Sequence, residues 1–231
     1  MYAVYWQISD NGRWQMISSI IFDMDGVLID SQPMHYEADQ ITLKHFGVAA
    51  DMKLLESFAG TTNPDRYARF KELFHMPYTI DEMVDFRENV IMDYVHGHDL
   101  MGIRGVDRLH ADIRKAGLKT AVASSSSYAY IYAVLDKLGF REYFDKVVSG
   151  DDMENGKPAP DIFLKAAREL ESYPEECVVI EDSGNGVLAA NRAAMKVVGF
   201  INPSSGEQDL STATLIIDAF DKIDADRLTK I

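Results

Sequence analysis

From about Gly105 onward, the chain alternates short β-branched runs with amphipathic segments of helix length. Strands that alternate with helices form parallel sheets with helices on both faces. The pattern therefore predicts an α/β fold with a Rossmann-like parallel sheet. The predicted strands are residues 17–23, 119–123, 146–149, 177–181, 196–200 and 214–218, and the predicted helices are residues 106–116, 128–138, 160–170 and 186–194.

The segment between the first two predicted strands follows a different pattern. It has helical periodicity over residues 34–46, 65–74 and 81–96, and no convincing strand. We therefore expect an inserted α-helical cap domain at residues 32–100, between two parts of the core, residues 16–31 and 101–231. Residues 1–15 are expected to be an N-terminal extension that contributes little to the mechanism.

Composition limits the possible functions. The 231 residues carry 23 basic and 37 acidic side chains, a net charge of −14, which argues against nucleic-acid binding. No apolar run approaches the ~20 residues that cross a bilayer, and the first fifteen residues lack a secretory signal. The single cysteine, Cys177, excludes an intramolecular disulfide and fits a reducing compartment. We expect a cytoplasmic protein that binds a small molecule and neither nucleic acid nor membrane; its oligomeric state stays open, with a monomer plausible.

Two aspartates follow the first predicted strand, where its apolar run ends. Asp23 and Asp25 are two residues apart, and Gly26 comes next. Because side chains two residues apart on a strand point the same way, both carboxylates can converge where the chain turns. Two like charges that close need a cation or a shared proton between them. A polar strand end followed by a helix cap has the same short sequence. The residues at the other strand ends must therefore decide between a ligand site and simple capping.

Three more polar segments lie at predicted strand ends or helix starts. The serine run at residues 124–127 could bind an oxyanion through hydroxyls and unpaired backbone N–H groups. Lys157 lies in a Gly/Pro loop before a helix, and Glu181 and Asp182 end another strand. Each segment alone is also typical of helix capping or of a solvated turn. Because the carboxyl ends of parallel strands meet at one edge, we expect all of them near one ligand site.

Considered together, these segments carry more negative than positive charge. Asp23, Asp25, Glu181 and Asp182 would concentrate negative charge on one sheet edge, and a phosphate would add more. Such a site requires a cation as well as Lys157. Mg²⁺ fits because it is a hard ion that prefers oxygen ligands. The candidate ligands are Asp23, Asp182 and the backbone oxygen of Asp25, with Glu181 bound directly or through water.

In this order, the Asp23 motif, the Ser124 segment, Lys157 and the Glu181–Asp182 pair resemble the four motifs of the haloacid dehalogenase superfamily. The string KPAPDIF that begins at Lys157 and the string EDS that begins at Glu181 resemble its β-phosphoglucomutase-like branch, which has a helical cap after the first motif. The resemblance covers essentially residues 16–231.

The resemblance implies a role for each motif residue. Asp23 would attack phosphorus and form an aspartyl-phosphate, and Asp25 would protonate the leaving oxygen and then deprotonate the incoming one. Ser124, Ser125 and Lys157 would bind the phosphoryl oxygens. Asp25 also argues against a dehalogenase, because the dehalogenases of this superfamily lack an acid at that position.

The resemblance also assigns roles to the cap. It would close over the sheet edge as a lid that expels water and contacts the substrate, with a hinge near residues 29–33. Thr61, Thr62 and Asn63 resemble the loop that such caps insert into the site. His35 matches a histidine at the cap entrance of sugar-phosphate mutases, although an ordinary surface position on the helix explains it equally simply.

A phosphatase and a mutase both remain possible, and residues of the cap distinguish between them. β-Phosphoglucomutases carry an arginine and a lysine that bind the distal phosphate of a bisphosphate, and an ungapped match places Asn63 and Val90 there. This difference favours a phosphatase that acts on small phosphorylated metabolites, most reasonably sugar phosphates. A mutase that interconverts β-glucose 1-phosphate and glucose 6-phosphate is the alternative, because Arg66, Arg69 or Arg87 could replace the missing cations.

A non-enzymatic function is the third alternative. Receiver domains of signalling systems also combine paired acids, a phosphorylated aspartate, a hydroxyl and a lysine on a parallel sheet. They have about half this length and no helical insertion after the first strand. The sequence therefore favours an enzyme.

Overall fold

The structure is a computed structural model, and it describes residues 7–8, 14–58 and 62–231. The strands are β1 Gln7–Ile8, β2 Trp14–Gln15, β3 Ser19–Phe22, β4 Lys119–Ser124, β5 Lys146–Ser149, β6 Cys177–Glu181, β7 Lys196–Phe200 and β8 Leu215–Ile217. The helices are α1 Gln32–His45, α2 Met52–Glu56, α3 Asn63–Phe74, α4 Ile80–Gly97, α5 Val106–Lys115, α6 Tyr128–Leu138, α7 Asp161–Glu169, α8 Gly184–Arg192 and α9 Ala225–Leu228.

Six strands form one parallel sheet in the order β5-β4-β3-β6-β7-β8. This confirms the α/β prediction, and every predicted strand of the sheet is present. The first strand is shorter than predicted, Ser19–Phe22 instead of residues 17–23, because the chain leaves the sheet at Asp23. The short strands β1 and β2 form a separate antiparallel pair within the predicted extension.

Apolar side chains cover both faces of the sheet. The cluster on one face includes Phe22, Val122 and Ile180, and the cluster on the other includes Ile21, Ala123 and Val179. Neighbouring residues of one strand thus enter opposite clusters, as the period of a strand requires. Helices pack on both faces, as strands that are buried on both sides need. Cys177 lies in the second cluster and is fully buried.

Helices α1–α4 form a helical unit, residues 32–97, with an apolar cluster of its own. That cluster includes Leu43, Leu55, Tyr67 and Phe70. Three of the helices were predicted, and α2 was not. It has only five residues, too few for a helical period, and it begins where Asp51 accepts a hydrogen bond from the backbone N–H of Leu54 at 2.8 Å.

The helical unit joins the sheet-containing part through two adjacent chain segments. Ile29, before α1, pairs with Gly102, which follows α4. The backbone N–H of Ile103 donates to the carbonyl oxygen of Leu28 at 2.9 Å. Near this junction, Met34 of α1 and Val95 of α4 enter the first sheet cluster. Within the described part of the chain, no helix has the length and apolarity that a membrane span requires.

Candidate active site

The predicted site residues lie at the carboxyl edge of the sheet, where the strand order reverses between β3 and β6. Phe22 and Ile180 are paired in register, so Asp23 and Glu181 leave neighbouring strands at the same level. The backbone N–H of Asp23 still donates to Ile180 O at 2.9 Å. Open α/β sheets bind ligands at such a switch point.

Three buried carboxylates meet at this point. One oxygen from each of Asp23, Glu181 and Asp182 lies within 4.8 Å of the others, and the three residues are 6%, 1% and 5% exposed. Lys157 bridges two of them, with Nζ 2.6 Å from Asp23 Oδ1 and 2.8 Å from Glu181 Oε1. Hard carboxylate oxygens suit a divalent cation such as Mg²⁺. These residues can therefore hold a metal ion.

The three carboxylates carry more negative charge than Lys157 can neutralise. Burial, together with the charges of Glu181 and Asp25 and against the opposing effect of Lys157, raises the pKa of Asp23 to about 7. Burial and the charges of Glu181 and Asp23 raise the pKa of Asp182 well above its ordinary value. Burial disfavours the charged form of Lys157, but Asp23 and Glu181 outweigh it and raise the lysine pKa. One lysine cannot balance three carboxylates, and a divalent cation would.

Two glycines allow the carboxylates to lie close to the backbone. Gly26 has φ +82°, and a Cβ there would lie 1.9 Å from Asp182 Oδ2. A Cβ at Gly186, in the first turn of α8, would lie 1.7 Å from Glu181 Oε1. Glu181 Oε2 also accepts hydrogen bonds from Ser183 N and Oγ at 2.6 and 2.9 Å. A side chain at either glycine would displace a carboxylate of the cluster.

Asp25 is held by four hydrogen-bond donors. Ser124 Oγ and Ser126 Oγ lie 3.4 and 3.1 Å from its Oδ2, and Tyr130 Oη and His35 Nε2 lie 3.2 and 3.3 Å from its Oδ1. Burial disfavours the charged form of Asp25, but the hydrogen bonds from His35 and Ser126 outweigh it and hold the pKa below its usual range. These donors fix the direction of the Asp25 carboxyl group.

Only part of the serine run at residues 124–127 lies at the site. Ser124 is buried at the end of β4 and accepts a hydrogen bond from Ser126 N at 3.1 Å. Ser125 is exposed. Sequence reasoning missed Ser126 and Tyr130 as partners of Asp25. Ser126 belongs to a run of four serines, and nothing in the sequence distinguishes the Tyr130 side chain from other tyrosines of its helix.

His35 lies at the site and not on the outer surface of its helix. Arg87 Nη2 lies 2.9 Å from His35 Nδ1, on the opposite side of the ring from Asp25. Because a guanidinium only donates, His35 Nδ1 accepts, and Nε2 then carries the hydrogen that is donated to Asp25. Arg87 also donates through Nε to Asp39 Oδ1 at 2.8 Å, and Arg66 Nη1 donates to Asp39 Oδ2 at 2.6 Å.

The predicted cap loop is only partly described. Thr61 lies outside the described residues. Thr62 caps α3, since its hydroxyl accepts from Asp65 N at 3.3 Å and donates to Asp65 Oδ2 at 2.7 Å. Asn63 Nδ2 donates to Glu88 Oε1 on α4 at 3.1 Å.

The parallel sheet and the acidic group at its switch point define an α/β protein whose sheet edge can hold a cation. The family model of haloacid dehalogenase-like hydrolases matches residues 20–200. The chain belongs to this family.

Relatives from this family include phosphatases of phosphorylated carbohydrates. Fructose-1-phosphate phosphatase YqaB of Escherichia coli is 32% identical over 189 residues, which cover 80% of this chain and 97% of that protein. The crystal structure of CbbY from Rhodobacter sphaeroides in complex with phosphate matches with a TM-score of 0.80 and 29% identity, covering 89% and 95% of the two chains. The β-phosphoglucomutase of Clostridium difficile matches with a TM-score of 0.79 and 28% identity, covering 93% and 96%.

Proposed function

We propose that the protein is a Mg²⁺-dependent phosphatase of small phosphorylated metabolites, sugar monophosphates above all, and that it acts through an aspartyl-phosphate. The convergence of Asp23, Asp25 and Lys157 at one sheet edge carries this proposal. Relatives that are phosphatases of phosphorylated carbohydrates support it.

In the first step, an Asp23 oxygen attacks phosphorus and the ester P–O bond breaks. Asp25 gives its proton to the departing oxygen, and the negative charge of the bound phosphate favours the protonated form of Asp25 that this step needs. In the second step, water attacks phosphorus and gives a proton to Asp25. The bond between phosphorus and the Asp23 oxygen then breaks and releases phosphate.

Other residues stabilise the charge that develops on the phosphoryl oxygens. Lys157 and Ser124 lie where they can donate to these oxygens, with Ser125 at the same loop. Asp23, Asp182, the backbone oxygen of Asp25 and Glu181 would hold Mg²⁺. When bound, the ion neutralises the carboxylates and the phosphate so that an anionic nucleophile can approach an anionic ester.

The helical unit is proposed to act as a lid, because His35 reaches Asp25 from α1. Its arginines favour a monophosphate over a bisphosphate. Arg66 and Arg87, two of the candidates for binding a distal phosphate, both donate to Asp39, which is 1% exposed. Arg69 is exposed on α3. Both arginines already donate to a buried carboxylate, and turning toward a second phosphate would deprive Asp39 of these partners, which favours the phosphatase over the mutase.

The test is phosphate release from a panel of sugar phosphates, including β-glucose 1-phosphate, with a coupled measurement of glucose 6-phosphate. We expect Mg²⁺-dependent release that EDTA abolishes and Mg²⁺ restores. Asp23→Asn should be inactive, whereas Asp136→Asn, at an exposed position on α6, should behave like the wild type. Glucose 6-phosphate formed without phosphate release would show a mutase instead.

A further inference from the structure

Tyr130 is a buried side chain that the proposed reaction does not yet use. It lies in the first turn of α6 and is 1% exposed. Its hydroxyl donates to Asp25 Oδ1 at 3.2 Å, the same oxygen that His35 Nε2 approaches at 3.3 Å. The phenolic hydroxyl is the donor in this contact, and the carboxyl oxygen accepts.

The donors to Asp25 come from two parts of the molecule. Ser124, Ser126 and Tyr130 belong to the sheet-containing part, at the end of β4 and the start of α6. His35 belongs to α1 of the helical unit. A movement of the helical unit away from the sheet edge would remove His35 and leave three donors in place. Of the four donors, Tyr130 would then be the one that still reaches Oδ1.

We propose that Tyr130 is a positioning residue that fixes Asp25 in the orientation required to deprotonate water, so that the aspartyl-phosphate is hydrolysed and not passed to another alcohol. The inference rests on the proposed function. Water makes few contacts of its own, so it needs a base held beside phosphorus even when the helical unit is open. A sugar acceptor would contact the helical unit and hold it closed, with His35 next to Asp25. A base anchored to the sheet-containing part therefore favours water as the acceptor.

The second step shows where the anchor acts. Water oxygen bonds to phosphorus, its proton passes to Asp25, and the P–O bond to Asp23 breaks, so charge and atoms balance. Tyr130 donates to Asp25 Oδ1 and neither gains nor loses a proton in this step. Without the phenol, Asp25 gains freedom to turn, and proton transfer from water slows.

Helix α6 offers a matched control. Tyr130→Phe removes only the hydroxyl, and Tyr132→Phe makes the same change two residues later, where the ring lies 3.8 Å from the Arg141 guanidinium carbon. The substrate is 4-nitrophenyl phosphate, whose leaving phenolate needs little protonation, so its release reports the first step. Rapid acid quenching measures the aspartyl-phosphate, and thermal unfolding checks the fold.

For Tyr130→Phe we expect steady-state turnover to fall roughly 10- to 100-fold, the factor for one hydrogen bond to a charged group. Nitrophenolate should still be released in a fast burst that approaches one equivalent per enzyme, with a matching rise in trapped aspartyl-phosphate. Tyr132→Phe should match the wild type. A Tyr130→Phe enzyme that matches Tyr132→Phe, or that loses the burst and turnover equally, would overturn the inference.

Two further results separate this inference from the proposed function. If Asp23→Asn still turns over and no aspartyl-phosphate is trapped, the reaction itself is wrong. If the wild type forms the intermediate but Tyr130→Phe hydrolyses it at the normal rate, only the role of Tyr130 is wrong. Wild-type enzyme given glucose as a competing acceptor provides a measurement that needs no variant: release of phosphate should dominate, and dominant transfer to glucose would contradict the inference.

Discussion

The sheet edge and the helical unit both supply buried charged groups, but they place them in different ways. At the sheet edge, Asp23 and Glu181 take their positions from backbone pairing, because Asp23 follows β3 and Glu181 ends β6, and the register of these two strands is fixed. In the helical unit, Asp39, Arg66 and Arg87 come from three helices and meet only through side-chain contacts. Backbone pairing fixes the reacting groups, and helix packing fixes the groups that surround them.

Removing the charged side chain of Lys157 tests whether the groups at the sheet edge are needed for catalysis. Lys157→Met leaves Asp23 and Glu181 without their shared partner and removes a donor from the phosphoryl oxygens. We expect phosphatase turnover to fall about 10²- to 10³-fold, as for the loss of one charge-stabilising donor in an active site. Steady-state kinetics with saturating Mg²⁺ measure this.

Lys165 on α7 supplies the control for that variant. Its side chain is 24% exposed and pairs with Asp152 and Glu169. Lys165→Met should change turnover by less than about twofold, since exposed ion pairs contribute little. Equal losses in both lysine variants would show that lost stability, and not the site, explains the effect.

Breaking the buried ion pair between Arg87 and Asp39 tests whether side-chain contacts hold the helical unit together. Arg87→Met leaves Asp39 with Arg66 and with the Tyr67 hydroxyl, 3.1 Å from Asp39 Oδ1. We expect the free energy of unfolding to fall by about 3 kcal/mol, because a buried carboxylate loses a partner. Hydrogen exchange should locate the loss of protection in α1, α3 and α4.

The sheet serves as the internal control in that experiment. Amides of β3 and β6 should keep their protection, because their hydrogen bonds lie within the sheet. Arg66→Met should produce a similar but smaller loss, since Arg66 is more exposed than Arg87. Uniform loss of protection across both regions would mean that the helical unit and the sheet unfold as one.

The same two regions explain what the sequence could predict. Alternating patterns located all six strands of the sheet. Polar residues at strand ends located Asp23, Asp25 and Glu181, because sheet topology brings strand ends together, and a Gly/Pro loop before a helix located Lys157. Tyr130 was beyond reach, since its role depends on the direction of one side chain on α6. The partners of Asp39 were equally hidden, because periodicity gives helices but not which side chains of different helices meet.

Acid should weaken the helical unit through Asp39. Burial opposes its charged form, but Arg87 and Arg66 outweigh burial and lower its pKa. A lowered native pKa contributes stability at pH values above the unfolded value of about 3.9, and this contribution is lost as pH falls through the native pKa. Asp39→Asn should therefore be less stable than the wild type at pH 7, and the difference should shrink below about pH 4. Urea unfolding of both proteins from pH 7 to pH 3 measures this; a constant difference would contradict it.

The smallest effect is expected at an exposed ion pair of the sheet-containing part. Arg114 Nη1 donates to Asp145 Oδ1 at 2.6 Å, as close as Arg66 to Asp39, but the two side chains are 47% and 35% exposed. Water screens such a pair, so Arg114→Met should cost less than about 1 kcal/mol in the free energy of unfolding. Chemical denaturation beside Arg87→Met gives the comparison directly. A cost near that of Arg87→Met would mean that distance, and not burial, decides how strongly an ion pair holds this protein together.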